Sequence, residues 1–217
     1  MRIALRWAGY VAGGLLLLVL IATVAIWAVA ARKLGENVEA KRERLIPMEQ
    51  ASLEQGQHLI LTRACAECHG GPELRGAKFL DVPNVATLYA PNLTLIAENA
   101  TDQQLAQAIR QGIGHDGRPL LVMPSESYSS LTDAETAALV RAIRALPAGG
   151  SATPAPRVGP LGRVGLAAGK LKTAPALVEE YANAQAADFG PGFAARRHIA
   201  VTVCSGCHGA ALSGKEA

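Results

Sequence analysis

Charge and aromatic bulk are both scarce in this chain of 217 residues: charged side chains make up 18% and Phe, Trp and Tyr together 4%. Half of the residues are apolar and the mean hydropathy is +0.19. That composition excludes a disordered chain, a collagen-like chain and a highly charged nucleic-acid arm. The length admits one or two small domains and excludes a large multidomain enzyme. The net charge is only +3, and no basic cluster indicates a phosphate-backbone partner, so no nucleic acid is expected. Methionine and cysteine are rare too, with three and four residues. Their placement carries most of the chemistry.

The apolar excess sits at one end. After a short tail (1–6), Trp7 to Ala31 carries no charge. As a helix this run covers roughly 37 Å, enough to span a bilayer core of about 30 Å. Trp7 and Trp27, the two tryptophans, fall about 30 Å apart, near the two interfaces that amphipathic rings prefer. A secretory apolar region is only about 7–15 residues, so 7–31 is expected to be an uncleaved transmembrane anchor, although Ala28-Val29-Ala30 offers a cleavage site. Residues 32–49 form a juxtamembrane segment. Its Arg32, Lys33, Lys41, Arg42 and Arg44 outnumber Arg2 and Arg6, which by charge alone puts the C-terminal side in the cytoplasm. The cysteine chemistry argues for the opposite side, and a large translocated domain often overrides local charge.

All four cysteines fall in one pattern used twice: Cys65-Ala66-Glu67-Cys68-His69 and Cys204-Ser205-Gly206-Cys207-His208. Two cysteines separated by two residues and followed by histidine read as a c-type haem attachment site. One helical turn presents both thiols to the two vinyl groups of a haem edge, and the adjacent histidine reaches the iron from the same side. A four-cysteine zinc site needs pairs much closer in sequence. A thioredoxin-like redox pair needs a βαβ context that is missing, and two disulfides give no reason for a histidine after each pair. Cys65, Cys68, Cys204 and Cys207 are therefore the expected haem-binding residues, and His69 and His208 the proximal metal ligands. The flanks Gly70–Gly76 and Gly209–Gly214 are related as well, so the chain reads as two similar units, the second only begun.

A low-spin electron-transfer haem needs a sixth ligand, and methionine suits a high potential. Met1 is the start and Met48 precedes the first helix. Met123, followed by Pro124 in a segment that cannot continue a helix, is the expected axial metal ligand. His115 sits in a Gly-flanked turn and is expected to be solvated. His58 and His198, upstream of the two motifs on similar helices, are expected to face outward or to cap.

Residues 50–147 read as helical. Gln50 to Ala64 is predicted to carry the first motif at its C-terminal end, with Gly56 allowing a later helix to approach closely. Thr101-Asp102-Gln103-Gln104 and Thr132-Asp133-Ala134-Glu135 are capping boxes, and Gly112 and Pro147 end the helices that follow. No sustained alternation supports a sheet. Phe79, Tyr89 and Tyr128 are the only aromatic residues of this unit. Its core is expected to be thin, a buried porphyrin is expected to supply the missing bulk, and the haem-free domain is expected to be unstable.

The segments Cys65–Gly70, Ala90-Pro91-Asn92-Leu93-Thr94, Gly117-Arg118-Pro119, Met123-Pro124 and Leu131-Thr132-Asp133 resemble the class I cytochrome c domain. The variety is that of membrane-anchored mono- or dihaem cytochromes c serving bacterial dehydrogenases and respiratory chains. The resemblance covers 50–147 and, as a second beginning, 193–214. It implies an all-α fold, haem c in the first domain, a second haem in the intact protein, and a proline carbonyl, from Pro83 or Pro91, that receives the other N–H of His69. Residues 148–192 read as a Pro-, Gly- and Ala-rich linker with a short helix over 176–187, and 193–217 as the truncated start of a second domain. The two Asn-x-Thr sequons at Asn92 and Asn99 are discounted as glycosylation sites. The expected function is single-electron transfer between a membrane or periplasmic dehydrogenase or reductase and a respiratory acceptor. The haem domains are then on the periplasmic side of a bacterial inner membrane, with redox proteins as partners and no substrate transformed. The alternatives are a dihaem peroxidase-type enzyme, which requires an open or displaceable iron position, and a haem-based sensor, which requires an effector domain.

Overall fold

A computed structural model describes residues 2–184 and 187–214. Helix α1 (Arg2–Gly35) is long and apolar enough to cross a membrane by length and composition. The chain then runs without regular structure to α2 (Leu53–Thr62), α3 (Cys65–His69), β1 (Ala77–Val82), β2 (Ala86–Ala90), α4 (Leu93–Asn99), α5 (Asp102–Gln111), α6 (Ser125–Tyr128) and α7 (Asp133–Arg144). Next come β3 (Arg157–Val158), α8 (Pro160–Ala167), α9 (Ala174–Ala182), a 3-10 turn (Pro191–Phe193) and α10 (Ala194–His208). The architecture is mostly helical, as the sequence led one to expect.

Local chemistry sets the helix boundaries. Ser52 caps α2 by accepting the Gln55 N–H, and both predicted capping boxes form, Thr101 with Gln104 and Thr132 with Glu135. Gly112 closes α5 in the left-handed conformation at φ 69°, which costs a residue without Cβ nothing. Arg144 on α7 donates to the carbonyls of Ala97 and Ala100 at 2.6 Å each, so its guanidinium satisfies acceptors that the end of α4 would otherwise leave unpaired.

The helices α2, α5 and α7 bury Leu59, Ile60, Leu105, Ile109, Leu139, Val140 and Ile143 against one another, with Tyr128 as the one aromatic residue of that buried cluster. Alanines fill much of the remaining contact surface, as the thin-core expectation had it. Gly56 on α2 faces the backbone of α7, where a Cβ would meet the Ala138 carbonyl oxygen at 2.0 Å.

Three sequence expectations need correction. The domain contains a small antiparallel sheet of order β1-β2-β3, with Lys78 opposite Tyr89 and a register shift between Lys78 and Leu80. The hairpin is half-exposed on both faces, so no alternation marks it in the sequence. The first helix also does not carry the first motif continuously. It stops at Thr62, Ala64 turns left-handed at φ 56°, and the motif forms its own turn of helix. The supposed linker is in part regular: Thr87 of β2 pairs with Arg157, and α8 and α9 follow. The short helix expected over 176–187 is α9, and residues 185–186 of that span lie outside the described residues.

His198, on α10, places Nε2 at 2.9 Å from Oε2 of Glu135, the capping-box residue of α7. Burial pushes the Glu135 carboxyl up, but hydrogen bonds from the Thr132 N–H, from His198 and from the Thr132 hydroxyl outweigh it and hold the pKa below the ordinary value. A carboxyl depressed in the folded state contributes stability above its unfolded pKa, and that contribution is lost as pH falls through the folded one. Glu135→Gln should therefore lower stability at neutral pH. The gap to the parent should close on acidification below the ordinary carboxylate range, as measured by denaturant unfolding at a series of pH values.

Candidate haem site

The first motif is held from two directions. The imidazole of His69 is 6% exposed, and its Nδ1 lies 2.8 Å from the carbonyl oxygen of Pro91. A carbonyl only accepts, so Nδ1 carries the hydrogen and Nε2 presents its lone pair. Burial lowers the His69 pKa, opposed by the Pro91 hydrogen bond, so the ring is neutral and ready to ligate. Of the two prolines that the sequence left open, the structure selects Pro91.

Pro91 is kept in place by its neighbour. Asn92 is 2% exposed, and its Oδ1 caps α4 by accepting the Thr94 and Leu95 N–H groups at 3.1 and 3.4 Å. The same oxygen accepts the Thr94 hydroxyl at 2.7 Å, while Nδ2 donates to the Gly149 carbonyl at 2.8 Å. In the sequence Asn92 stood out only within the Ala90–Thr94 resemblance and a sequon, and its burial removes it from any glycosylation. Asn92→Ala strips a cap and leaves buried polar groups unpaired, at a cost of about 2–3 kcal/mol. The expected result is a lower unfolding midpoint and a perturbed proximal-histidine signal in the NMR spectrum of the haem-loaded protein. An unchanged midpoint would remove Asn92 from this role.

The thiols are not poised for redox or thiolate-metal chemistry. Both are unpaired. Burial pushes the Cys65 thiol up to about 11, and burial, followed by the nearby Glu67 charge, raises Cys68. Among the described residues no group of three or more His, Cys, Asp or Glu side chains is gathered to hold a metal ion. Tight glycine turns return the chain beside the motif: at Gly70, φ 83°, a Cβ would lie 2.6 Å from the Gly76 carbonyl oxygen.

Met123 and Cys65 pack against the same buried cluster. Pro124 breaks the chain before α6, which begins at Ser125, fully buried and bonded through its hydroxyl to the Ala108 carbonyl at 3.0 Å. Tyr128 then donates its buried hydroxyl to the carbonyl of Arg63, two residues before Cys65. Burial raises the Tyr128 pKa, with the neighbouring Cys65 and Cys68 adding to it, so the phenol stays a donor. This link between the Met123 loop and the motif turn was not legible in the sequence, where Tyr128 counted only as bulk.

A family model described as cytochrome C oxidase, cbb3-type, subunit III, matches residues 51–141. These residues form a class I cytochrome c domain. No curated protein and no solved structure matches the chain. The cytochrome c domain implies covalently bound haem c and electron transfer through it. The side chains present fit that group. A neutral, oriented imidazole adjoins two un-ionised thiols, of which Cys65 packs against the buried apolar cluster, and a thioether packs against the same cluster.

The remaining histidines behave differently. His58 and His115 are exposed, and His198 serves the Glu135 pair. Met48 is part-buried on the same cluster as Met123, which makes it the natural control for it. In the second motif Cys204, Cys207 and His208 are all exposed at the end of α10. Ser205, between the two cysteines, is instead fully buried, with its hydroxyl 2.8 Å from that of Ser127 on α6. The second motif is thus carried on the first domain beside the turn that follows Met123.

Proposed function

We propose that the chain is a membrane-anchored c-type cytochrome that passes single electrons between a membrane or periplasmic dehydrogenase or reductase and a respiratory acceptor. In this reading the first domain would hold one haem c through Cys65 and Cys68, with His69 and Met123 as the residues that would ligate its iron, and Cys204, Cys207 and His208 would hold a second. Haem c supplies a one-electron iron couple when bound. The protein's part is to tether, orient and exclude. Two thioether bonds fix position, and the Pro91 carbonyl locks the His69 ring and raises its basicity. The Tyr128–Arg63 bond keeps the Met123 loop close to the motif turn.

The observation that carries the reading is the His69 to Pro91 hydrogen bond of 2.8 Å next to a pair of neutral thiols. Anchoring is supported by α1 and by what its last turns touch. Ala30 is fully buried, and Lys33 donates to the Leu166 carbonyl at 2.7 Å. Cleavage at Ala30 would strip part of that contact. α1 confines the domain to the plane in which its partners move, which raises encounter frequency.

The deciding experiment is maturation of the full chain in a host with haem-ligation machinery. The expected product carries a covalent porphyrin mass increment on the Cys65–Cys68 peptide and resists carbonate extraction from membranes. Its first haem, once reduced, does not bind carbon monoxide. Colourless protein without the mass increment overturns the reading. Rapid carbon monoxide binding at the first haem would transfer it to the enzyme or sensor class.

A further inference from the structure

Helix α8 lies in the segment that sequence composition marked as surface linker, yet it is clamped between the sheet and α1. Gly159 N donates to the Val85 carbonyl at 2.8 Å and Leu161 N to the Asn84 carbonyl at 2.9 Å. At Gly162 a Cβ would meet the Val85 carbonyl oxygen at 2.3 Å, so only glycine permits this approach. On the other side the Arg163 guanidinium lies 4.2 Å from the ring centroid of Trp27. The contacts ascend α1 and α8 together, Arg163 with Trp27 and then Leu166 with Lys33.

Two side chains of α8 face neither partner. Leu161 is 60% and Val164 45% exposed, and at spacing i, i+3 they share one face of the helix. Val82, where β1 meets the turn beneath α8, is exposed as well. Arg157 is exposed and lines the same cleft as Val82. Exposed apolar side chains with a cation at their edge are the pattern of an element that lies in a headgroup layer. Depth decides the occupant. Trp27 marks the interface end of the apolar run, and α8 touches α1 at Trp27 and just beyond it.

We infer that α8 is an interfacial element: Leu161 and Val164 insert into the boundary of the same bilayer that α1 crosses, and so fix the orientation of the cytochrome c domain above the membrane. The inference rests on the anchor reading above. Its partner is the phospholipid surface itself. A second attachment stiffens the mount. The juxtamembrane segment runs across α5, with Glu43 N donating to Gln103 Oε1 at 2.9 Å, Gln103 Nε2 to the Glu43 carbonyl at 3.0 Å, and Arg110 within 3.2 Å of the Glu43 carboxylate.

The test is site-directed spin labelling of the matured, reduced, full chain in phospholipid nanodiscs. Nitroxides are placed singly through Leu161→Cys and Val164→Cys, with Leu17→Cys as the membrane reference and Ser151→Cys as the aqueous one. Relaxation by oxygen should exceed relaxation by a water-soluble nickel chelate several-fold at 161, 164 and 17, and the order should reverse at 151. If 17 behaves as lipid-buried while 161 and 164 match 151, α8 stands in water and the inference falls with the anchor intact. If 17 itself is chelate-accessible, the anchor reading fails and takes this one with it. All four positions are exposed, so the haem spectrum should report an intact fold in every variant.

Discussion

Gly56→Ala should cost the haem-loaded domain about 3 kcal/mol and lower its melting temperature by roughly 10–20 °C. The added Cβ would sit 2.0 Å from the Ala138 carbonyl oxygen, 2.6 Å from its carbon and 2.7 Å from the Ala142 Cβ. Two of these three obstacles are helix backbone and cannot rotate away, so α2 and α7 must separate. Helix propensity favours alanine by about 1 kcal/mol, and the clash must overcome that gain before it shows. The contact is also the one that delivers the motif, because α2 ends two residues before the left-handed turn at Ala64. A domain with total stability of about 5–15 kcal/mol has little margin for such a loss. The control is Gly192→Ala, where no atom lies within 4 Å of the added Cβ and no change is expected. Thermal unfolding followed at the haem absorption band checks both. Equal midpoints for the two variants would show that the helices slide apart without penalty.

Met123→Leu should abolish the methionine-sulfur signature of the first haem, lower its potential and admit carbon monoxide to the reduced iron, while leaving the fold intact. Leucine conserves the volume that packs against the buried cluster, so less than about 1.5 kcal/mol of stability is at stake. What it removes is the thioether, the only group it lacks. Met48→Leu is the matched control, since Met48 packs against the same cluster. The optical and NMR spectra should change for the first variant and not for the second. A spectrum unchanged in the Met123 variant and altered in the Met48 variant would move the sixth ligand to the other side of the cluster.

Short-range chemistry was the most legible part of this protein. The two capping boxes, the glycine that ends α5 and the close approach at Gly56 need only a few residues in sequence, and each was found where expected. The Cys65–His69 motif is legible for the same reason, since the proposed covalent attachment demands its residues at fixed spacing. The sheet escaped notice because a half-exposed hairpin imposes no alternation. Helix α8 escaped notice because a helix of eight residues that seats its glycines against other backbones is too short to show a periodic apolar stripe, and its anchoring atoms are carbonyls and N–H groups that every residue possesses.

The amino-acid sequence by itself determined the twice-used Cys-x-x-Cys-His pattern, the apolar run and the helical character of the domain, since each follows from residue type and local spacing. It also made Met123 the candidate ligand, through the scarcity of methionine and the proline that follows it. Only the tertiary structure decided that Pro91 rather than Pro83 receives the His69 N–H, that Tyr128 ties the Met123 loop to the motif, and that α8 rests on α1. Those choices join groups distant along the chain through backbone carbonyls and a single ring contact. Backbone acceptors are identical at every position, so only the folded path of the chain singles one out.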